Sequence, residues 1–385
     1  MAGGLRPPTA LFVNVEADVF DAPLPPEHAD ALRQAARHLK VLYEVTERGL
    51  SERPAELLAE VERVRALGFG IAIDDLGTDW RSLALLPFIR PDVVKLDMAL
   101  IQGPLTDAGL AMATAVRSYA GETGAQILAE GIETAEHEER ADLYGAELGQ
   151  GWKYGRPAPL AVSPVAQLRP GARLVIDTRP IDLATPATIA LPAQQRAITT
   201  KAALVRLSIA IERRASQTDE PSVVLGAFQE MRHFEVPSTR ERFVHLAAGE
   251  AFVGAFGVGM PAAPAPGVRG AALAPNALLA GEWHIIVVGP HHAEALISRE
   301  LDDDDVPEEQ RRFEFLHTHD RELIVRCARS LMLNIVPAVA RPGVDEGTAR
   351  GLRGAGSAAT ARGQIRRSAS ASFATKLTRP PKRSS

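Results

Sequence analysis

The chain has 385 residues, 46% hydrophobic and 24% charged, the balance of an ordinary soluble globular protein of two or three domains. Its single cysteine, Cys327, excludes an internal disulfide framework. No apolar run approaches the roughly 20 residues of a membrane span, and no basic n-region precedes an apolar stretch at the start, which places the chain in the cytoplasm.

The net charge of −5 divides unevenly: residues 341–385 hold ten Arg and Lys against two Asp and Glu, so this stretch is +8 and residues 1–340 are −13. An acidic body argues against a broad nucleic-acid surface. The basic end reads as a solvated Gly/Ala/Ser/Arg extension.

Residues 1–9 read as a disordered start, and residues 11–15, LFVNV, as a short buried strand with Asn14 near its end. A helical stretch follows from Glu27 to His38. VLYEVTE, residues 41–47, is a second strand, with Glu44 and Glu47 near its tip. Pro54 opens a periodic helix that Gly68 ends. The next strand, Ile71 to Asp74, ends in two adjacent carboxylates, Asp74 and Asp75, and a Gly-Thr turn. Alone, that pair fits a metal site and a helix cap about equally well. Residues 81–88 are helical, and residues 91–97 form a strand carrying Lys95 and Asp97. A helix spans 106–123. A strand over 125–134 holds Glu130 at its tip, a helix spans 135–144, and a last short strand ends near Gln150.

Six apolar strands thus alternate with helices at the spacing of βα units, as in a parallel sheet buried on both faces. Each strand tip carries a polar residue: Asn14, Glu44, Asp74 with Asp75, Lys95, Glu130 and Gln150. That succession is the signature of a (β/α) barrel with its active site on the C-terminal rim. A doubly wound open sheet is the alternative, but it would gather its polar residues at one switch point. Four carboxylates and one amide oxygen make a hard oxygen shell suited to Mg²⁺ or Mn²⁺ rather than zinc. So many acids suit a pair of ions, a recurring device for phosphodiester hydrolysis. Lys95 would hold the attacking water or neutralise phosphate charge.

Residues 10–160 resemble the EAL domain, the barrel of cyclic-di-GMP phosphodiesterases. The resemblance rests on FVNVE, EVTE (44–47), DDLGTDWRSL (74–83), KLD (95–97), AEGIET (129–134) and GQGWKYGRP (149–157), in that order. It implies a metal-dependent enzyme that linearises cyclic-di-GMP, with Asn14, Glu44, Asp74, Asp75 and Glu130 as ligands of a two-metal Mg²⁺ or Mn²⁺ centre. It implies catalytic roles for Lys95, Glu130 and Gln150, and supporting roles for Glu47, Asp97 and Glu133. The family's E-A-L motif belongs two barrel units before Asn14, where the chain has no room for it, and six strands do not close an eight-stranded barrel. Asp79 replaces a family glycine, and Leu76 and Trp80 replace aromatics as packing variants. A literal E-A-L at Glu294–Leu296 follows the strand IIVVG after a gap and is expected to start a helix.

Residues 161–198 are proline-rich and read as a linker with one strand, ARLVIDT. An amphipathic helix begins at Lys201. Strands at 222–228, 251–258 and 282–289 follow, with a helix between the first two. PAAPAPG (261–267) is a turn-rich loop, Asp302 to Asp305 a solvated acidic run, and residues 311–336 a strand or turn followed by a long helix. Residues 199–338 resemble the DICT sensory domain through the opening helix, GAFQEMRHF, GEWHIIVVGP and RRFEFLHTHDRELIVRCAR. The resemblance implies signal sensing, with the signal unspecified. His233, His284, His291, His292, His317 and His319 match no zinc spacing, although His317 and His319 would share one side of a strand.

The expected architecture is α/β: an incomplete TIM-like barrel of about six of eight strands over residues 1–160, a linker over 161–198, an α+β sensory domain over 199–338, and a disordered basic tail over 339–385. The functional expectation is a cyclic-di-GMP phosphodiesterase regulated by the C-terminal domain. A second reading is an inactive module that binds cyclic-di-GMP or serves as an interaction surface. A third takes the chain as an incomplete product, its start set late and its frame shifted after about residue 340. An unclosed barrel exposes strand edges, and a homodimer could cover them.

Overall fold

The apolar runs of the first half lie side by side in one sheet. The computed structural model describes residues 10–15, 30–31, 34–35, 39–46, 54–77, 79–156, 174–193, 195–218, 220–301, 306–335 and 375–376. Strands β1 (Ala10–Asn14), β2 (Lys40–Thr46), β3 (Gly70–Leu76), β4 (Val93–Leu96), β5 (Gln126–Ala129) and β6 (Leu148–Gly149) are neighbours in sequence order, and every adjacent pair is parallel. A doubly wound sheet reverses its strand order at a switch point. None occurs here, so the sheet winds in one direction, as an incomplete TIM-like barrel does. Thr375–Lys376 pairs antiparallel with the outer edge of β6.

The connections are α1 (Pro54–Ala66), a 3₁₀ turn Trp80–Ala84 with α2 (Leu86–Ile89), α3 (Met98–Gln102), α4 (Asp107–Thr123) and α5 (Ala135–Leu143). Local chemistry sets their ends. Thr106 and Thr134 accept backbone N–H groups at the starts of α4 and α5, and Gly124 leaves α4 in a left-handed conformation. The sheet is buried on both faces. Tyr43, Val45, Ile71, Ile73, Val94, Leu96 and Ile127 meet the helices. Phe12, Leu42, Ala72, Val93, Leu128 and Leu148 form a separate inner layer.

After a short helix α6 (Pro186–Ala190), the second half builds a mixed sheet from β7 (Ala197–Thr200), β8 (Val223–Glu230), β9 (Phe252–Val258), β10 (Val268–Leu273), β11 (Glu282–Val288), β12 (Ala293–Glu300) and β13 (Arg312–Thr318). Its order is β10-β9-β8-β11-β12-β13-β7, parallel on the β10–β9–β8 side and antiparallel elsewhere. Helices α7 (Lys201–Ala215), α8 (Met231–Phe234) and α9 (Pro237–Gly249) accompany one face, where Phe228, Phe234, Phe243 and Trp283 make edge-to-face ring contacts. Helix α10 (Arg321–Met332) packs on β11 and β12, on α6, and on α2 of the first half. Its Leu323, Ile324, Cys327, Ala328 and Leu331 are buried in a core continuous with the first half.

Three local expectations change. Glu294–Leu296 lie inside β12 rather than at a helix start, because a tight turn at Gly289–His292 folds β12 back onto β11 and β13 flanks its other edge. Residues 174–178 form no strand: the Asp177 N–H donates to Asp92 Oδ1 at 2.7 Å, so a side chain takes the place of a ladder partner. The turn-rich loop at 261–267 leads into a strand, β10, whose short small-residue run Val268–Leu273 carried little β signal. The acidic run 302–305 and most of residues 336–385 lie outside the described residues. Among the described residues no helix is long and apolar enough to cross a membrane.

The two halves are tied by charge as well as by apolar packing. Arg329 of α10 donates to Glu62 of α1, both nearly fully buried, and Glu62 also accepts the Ile181 N–H at 3.0 Å. Removing one member of a buried pair strands the other charge. Arg329→Met is therefore expected to lower stability by about 3–5 kcal/mol in urea unfolding. Adding Glu62→Leu should recover most of that loss; an unchanged midpoint for the single variant would contradict the assignment.

Candidate functional site

Side chains two residues apart on a strand share a face. Phe12, Leu42, Ala72, Val93, Leu128 and Leu148 fill the inner layer. The residues two positions further along each strand are Asn14, Glu44, Asp74, Lys95, Glu130 and Gln150. The polar strand tips are thus the layer above an apolar floor, on the same face of the sheet. The parallel register steps them: Asn14 stands opposite Glu44, Asp74 opposite Thr46, two residues beyond Glu44, and Lys95 opposite Leu128, two residues before Glu130.

Lys95 is the centre of this layer. Its Nζ lies 2.5 Å from Asp74 Oδ1, 2.7 Å from Glu130 Oε1 and 2.8 Å from Glu44 Oε1. Lys95 and Glu44 are each 3% exposed. Burial alone would lower the ammonium pKa, but Glu130, Asp74 and Glu44 together raise it above the ordinary lysine value. Burial raises Glu130 to about 7, helped by Asp74 and opposed by Lys95. Burial likewise raises Glu44. Glu44 Oε1 is buried, and its close polar neighbour is the Lys95 ammonium, which opposes the effect of burial on its carboxyl.

The acid pair owes its geometry to a bulge. Between Ile73↔Val94 and Leu76↔Leu96 the register with β4 shifts, so β3 spends one residue more than its partner. Asp75 takes φ 56°, the left-handed region. On a regular strand, adjacent side chains point to opposite faces; a bulge re-aims one of them. Asp74, Asp75 and Glu130 consequently each offer an oxygen within 4.8 Å of the others. Sequence reading found both acids but not the bulge. Gly131, after Glu130, has φ 66°, and a Cβ there would lie 2.5 Å from Met98 Cβ, so the turn that ends β5 requires glycine.

The other expected residues are more dispersed. Asp97 caps α3 by accepting the Ala99 N–H at 2.5 Å. Glu133 is exposed on the loop before α5. Gln150 follows β6, donating its N–H to Ala129 and accepting from that of Ile132. Glu47 lies outside the described residues. Asp79, which replaces a family glycine, has φ −123° and caps the following 3₁₀ turn while pairing with Arg81, so this backbone does not need glycine. Leu76 is buried, whereas Trp80 is partly exposed. Glu294 of the displaced E-A-L pairs with Arg214 and His317 on the second sheet. The site fits a hard cation on its donors: grouped carboxylate oxygens of Asp74, Asp75 and Glu130, a buried carboxylate on Glu44, and no thiolate or imidazole among Asn14, Glu44, Asp74, Asp75, Lys95, Glu130 and Gln150.

With Lys95 removed, Glu44, Asp74 and Glu130 would face one another unneutralised. In metal-free buffer Lys95→Met should cost about 3–5 kcal/mol at pH 8. The cost should shrink toward pH 5, where the raised carboxyl groups take up protons. A pH-independent loss in thermal melts would refute this charge account.

Residues 2–157 match the family model of the EAL domain, and residues 185–301 match DICT, the sensory domain in diguanylate cyclases and two-component systems. The cyclic di-GMP phosphodiesterase RocR of Pseudomonas aeruginosa is 31% identical over 151 residues, 39% of this chain and 36% of that protein. The oxygen sensor DosP of Escherichia coli is 29% identical over 153 residues, 39% of this chain and 19% of that protein. The chain therefore spans about a third or less of these relatives. Among solved structures, the Pseudomonas aeruginosa MucR phosphodiesterase in a c-di-GMP complex is 31% identical, covering 39% of this chain and 68% of that one, with a TM-score of 0.34. The manganese/cy-diGMP complex of Klebsiella pneumoniae BlrP1 is 26% identical, covering 40% of each chain, with a TM-score of 0.35. Residues 2–157 thus belong to the EAL domain family and residues 185–301 to the DICT family of sensory domains, joined in a single chain.

Proposed function

We propose that this chain is a cyclic-di-GMP signalling protein whose EAL domain hydrolyses cyclic-di-GMP to linear pGpG with divalent metal, under control of the DICT domain. The observation that carries the reading is the Asp74–Asp75–Glu130 group beside Lys95, raised above an apolar floor in a family whose relatives bear the name cyclic di-GMP phosphodiesterase.

Asn14, Glu44, Asp74, Asp75 and Glu130 would hold Mg²⁺ or Mn²⁺, and a pair of such ions, when bound, supplies charge neutralisation and Lewis-acid polarisation of the phosphoryl oxygens. The remaining work falls to the protein. Lys95 keeps three carboxylates together and presents positive charge toward the phosphodiester. Glu130, at about 7, is suited to exchanging a proton near neutral pH. Gln150 orients water from the neighbouring strand end. Asp97 and Glu133 hold the loops that frame the site, and Glu47 would do the same after β2. A homodimer would complete the open sheet. The alternative reading, an inactive module that binds cyclic-di-GMP, is favoured by one feature: the Lys95 ammonium itself lies against Glu44, Asp74 and Glu130 and offsets part of the charge that would draw a cation.

The purified full chain with Mn²⁺ should convert cyclic-di-GMP to pGpG, and Glu130→Gln should reduce turnover by about 10²-fold or more. A folded chain that binds cyclic-di-GMP with no turnover would move the conclusion to the inactive module. Because ligands must be deprotonated to bind metal, Mn²⁺ affinity should rise from pH 6 to pH 8 as Glu130 loses its proton. In Glu130→Gln that rise should flatten, as read by calorimetry.

A further inference from the structure

A second polar concavity lies where α10 faces the first half. It is a cavity of about 800 Å³ whose walls carry five arginines, Arg90, Arg179, Arg321, Arg326 and Arg329, and three carboxylates, Glu122, Asp182 and Glu322. Pro87, Ile181, Val325 and the Tyr119 ring supply apolar wall. This size and mixture suit a small organic molecule.

The arginines are incompletely compensated. Arg90 and Arg179 share one carboxylate, Asp177. Arg326 meets Asp182 at 3.1 Å. Arg321 donates to neutral carbonyls, Gly289 O at 2.9 Å and His292 O at 3.1 Å, and reaches Glu122 at only 3.7 Å. Arg329 is 3% exposed, and its Nε has no hydrogen-bond partner. A buried guanidinium N–H without an acceptor is costly unless something supplies one. The arginines also act on one another. Burial, then Arg329, Arg179 and Arg65, lower Arg90 to about 10. Burial lowers Arg329 as well, with Arg65 and Arg179 adding to the effect against Glu62. An anion among them would relieve this repulsion, and the guanidinium fork matches phosphate oxygens in pairs.

We propose that this cavity binds a small organic phosphate, held by Arg179, Arg326 and Arg329 with its carbon body against Ile181, Val325 and Tyr119. Arg90 and Arg179 come from the segments around the start of β4, and Arg326 and Arg329 from α10. The ligand would join the sensory half to the strand that carries Lys95.

Inorganic pyrophosphate is the probe. It is titrated by calorimetry into the full chain in EDTA, so that no divalent ion holds it at the Asp74 group. Saturable binding is expected. It should weaken at least tenfold in Arg326→Gln and further in Arg179→Gln/Arg326→Gln, both partly exposed positions whose variants should keep the parent melting temperature. Asp74→Asn should bind as the parent does. No saturable binding by the folded chain at millimolar pyrophosphate would overturn the proposal. So would equal affinity in the arginine variants, or loss of binding in Asp74→Asn.

Discussion

The first half depends on one ammonium group. Lys95 brings Glu44, Asp74 and Glu130 within 2.8 Å of a single nitrogen, with Lys95 and Glu44 themselves buried. With Asp75 alongside, four carboxylates stand against one lysine. Burial answers part of the imbalance by raising Glu130 and Glu44. The remainder is a negative field focused above a dry floor of Phe12, Leu42, Ala72, Val93, Leu128 and Leu148. Such a field favours cations. The same charge balance that stabilises the strand tips defines what can bind there.

Backbone geometry makes that concentration of charge available. A parallel sheet in sequence order lines up successive strand ends, and a two-residue step lifts each polar tip above an apolar residue of the same strand. The sheet breaks its own alternation once, at the bulge on β3, and there it turns Asp75 toward Asp74 and Glu130. A left-handed conformation at a non-glycine residue carries a conformational cost. The ladder holds it from either side: β2 pairs as far as Asp74, and β4 pairs at Ile73 and again at Leu76.

Much of this was legible in the amino-acid sequence because strands buried on both faces read as short apolar runs and each ran directly into a polar residue. Asn14, Glu44, Asp74, Lys95, Glu130 and Gln150 declared themselves in this way. The available two-residue offset from the apolar floor was the missed signal, since Leu42 to Glu44 and Leu128 to Glu130 carry it openly. The bulge had no such signature, because Asp-Asp before Gly-Thr also reads as a loop with a cap. In the second half, β10 was hidden by its small residues and β12 by a tripeptide that suits a helix. Tertiary pairing on both edges overrode that preference. The interface network of Arg65, Asp92, Asp177 and Arg329 could not be read at all, since its members are separated by up to hundreds of positions and none forms a local motif.

That network bears on how a sensory half could influence the carboxylate layer. Asp92 immediately precedes β4 and accepts the backbone N–H of Ile71 on β3 at 2.8 Å and that of Asp177 at 2.7 Å. Arg65 binds Asp92 at 3.2 Å while donating to the carbonyls of Arg90 and Asp177. One buried carboxylate therefore sets the starting register of the two strands whose far ends carry Asp74 and Lys95. α10 reaches the adjoining helix through Arg329 and Glu62. A packed strand pair does not deform continuously; it shifts between discrete arrangements. The contacts of α10 with the first half and the bulge beside the carboxylates therefore lie at opposite ends of the same two strands.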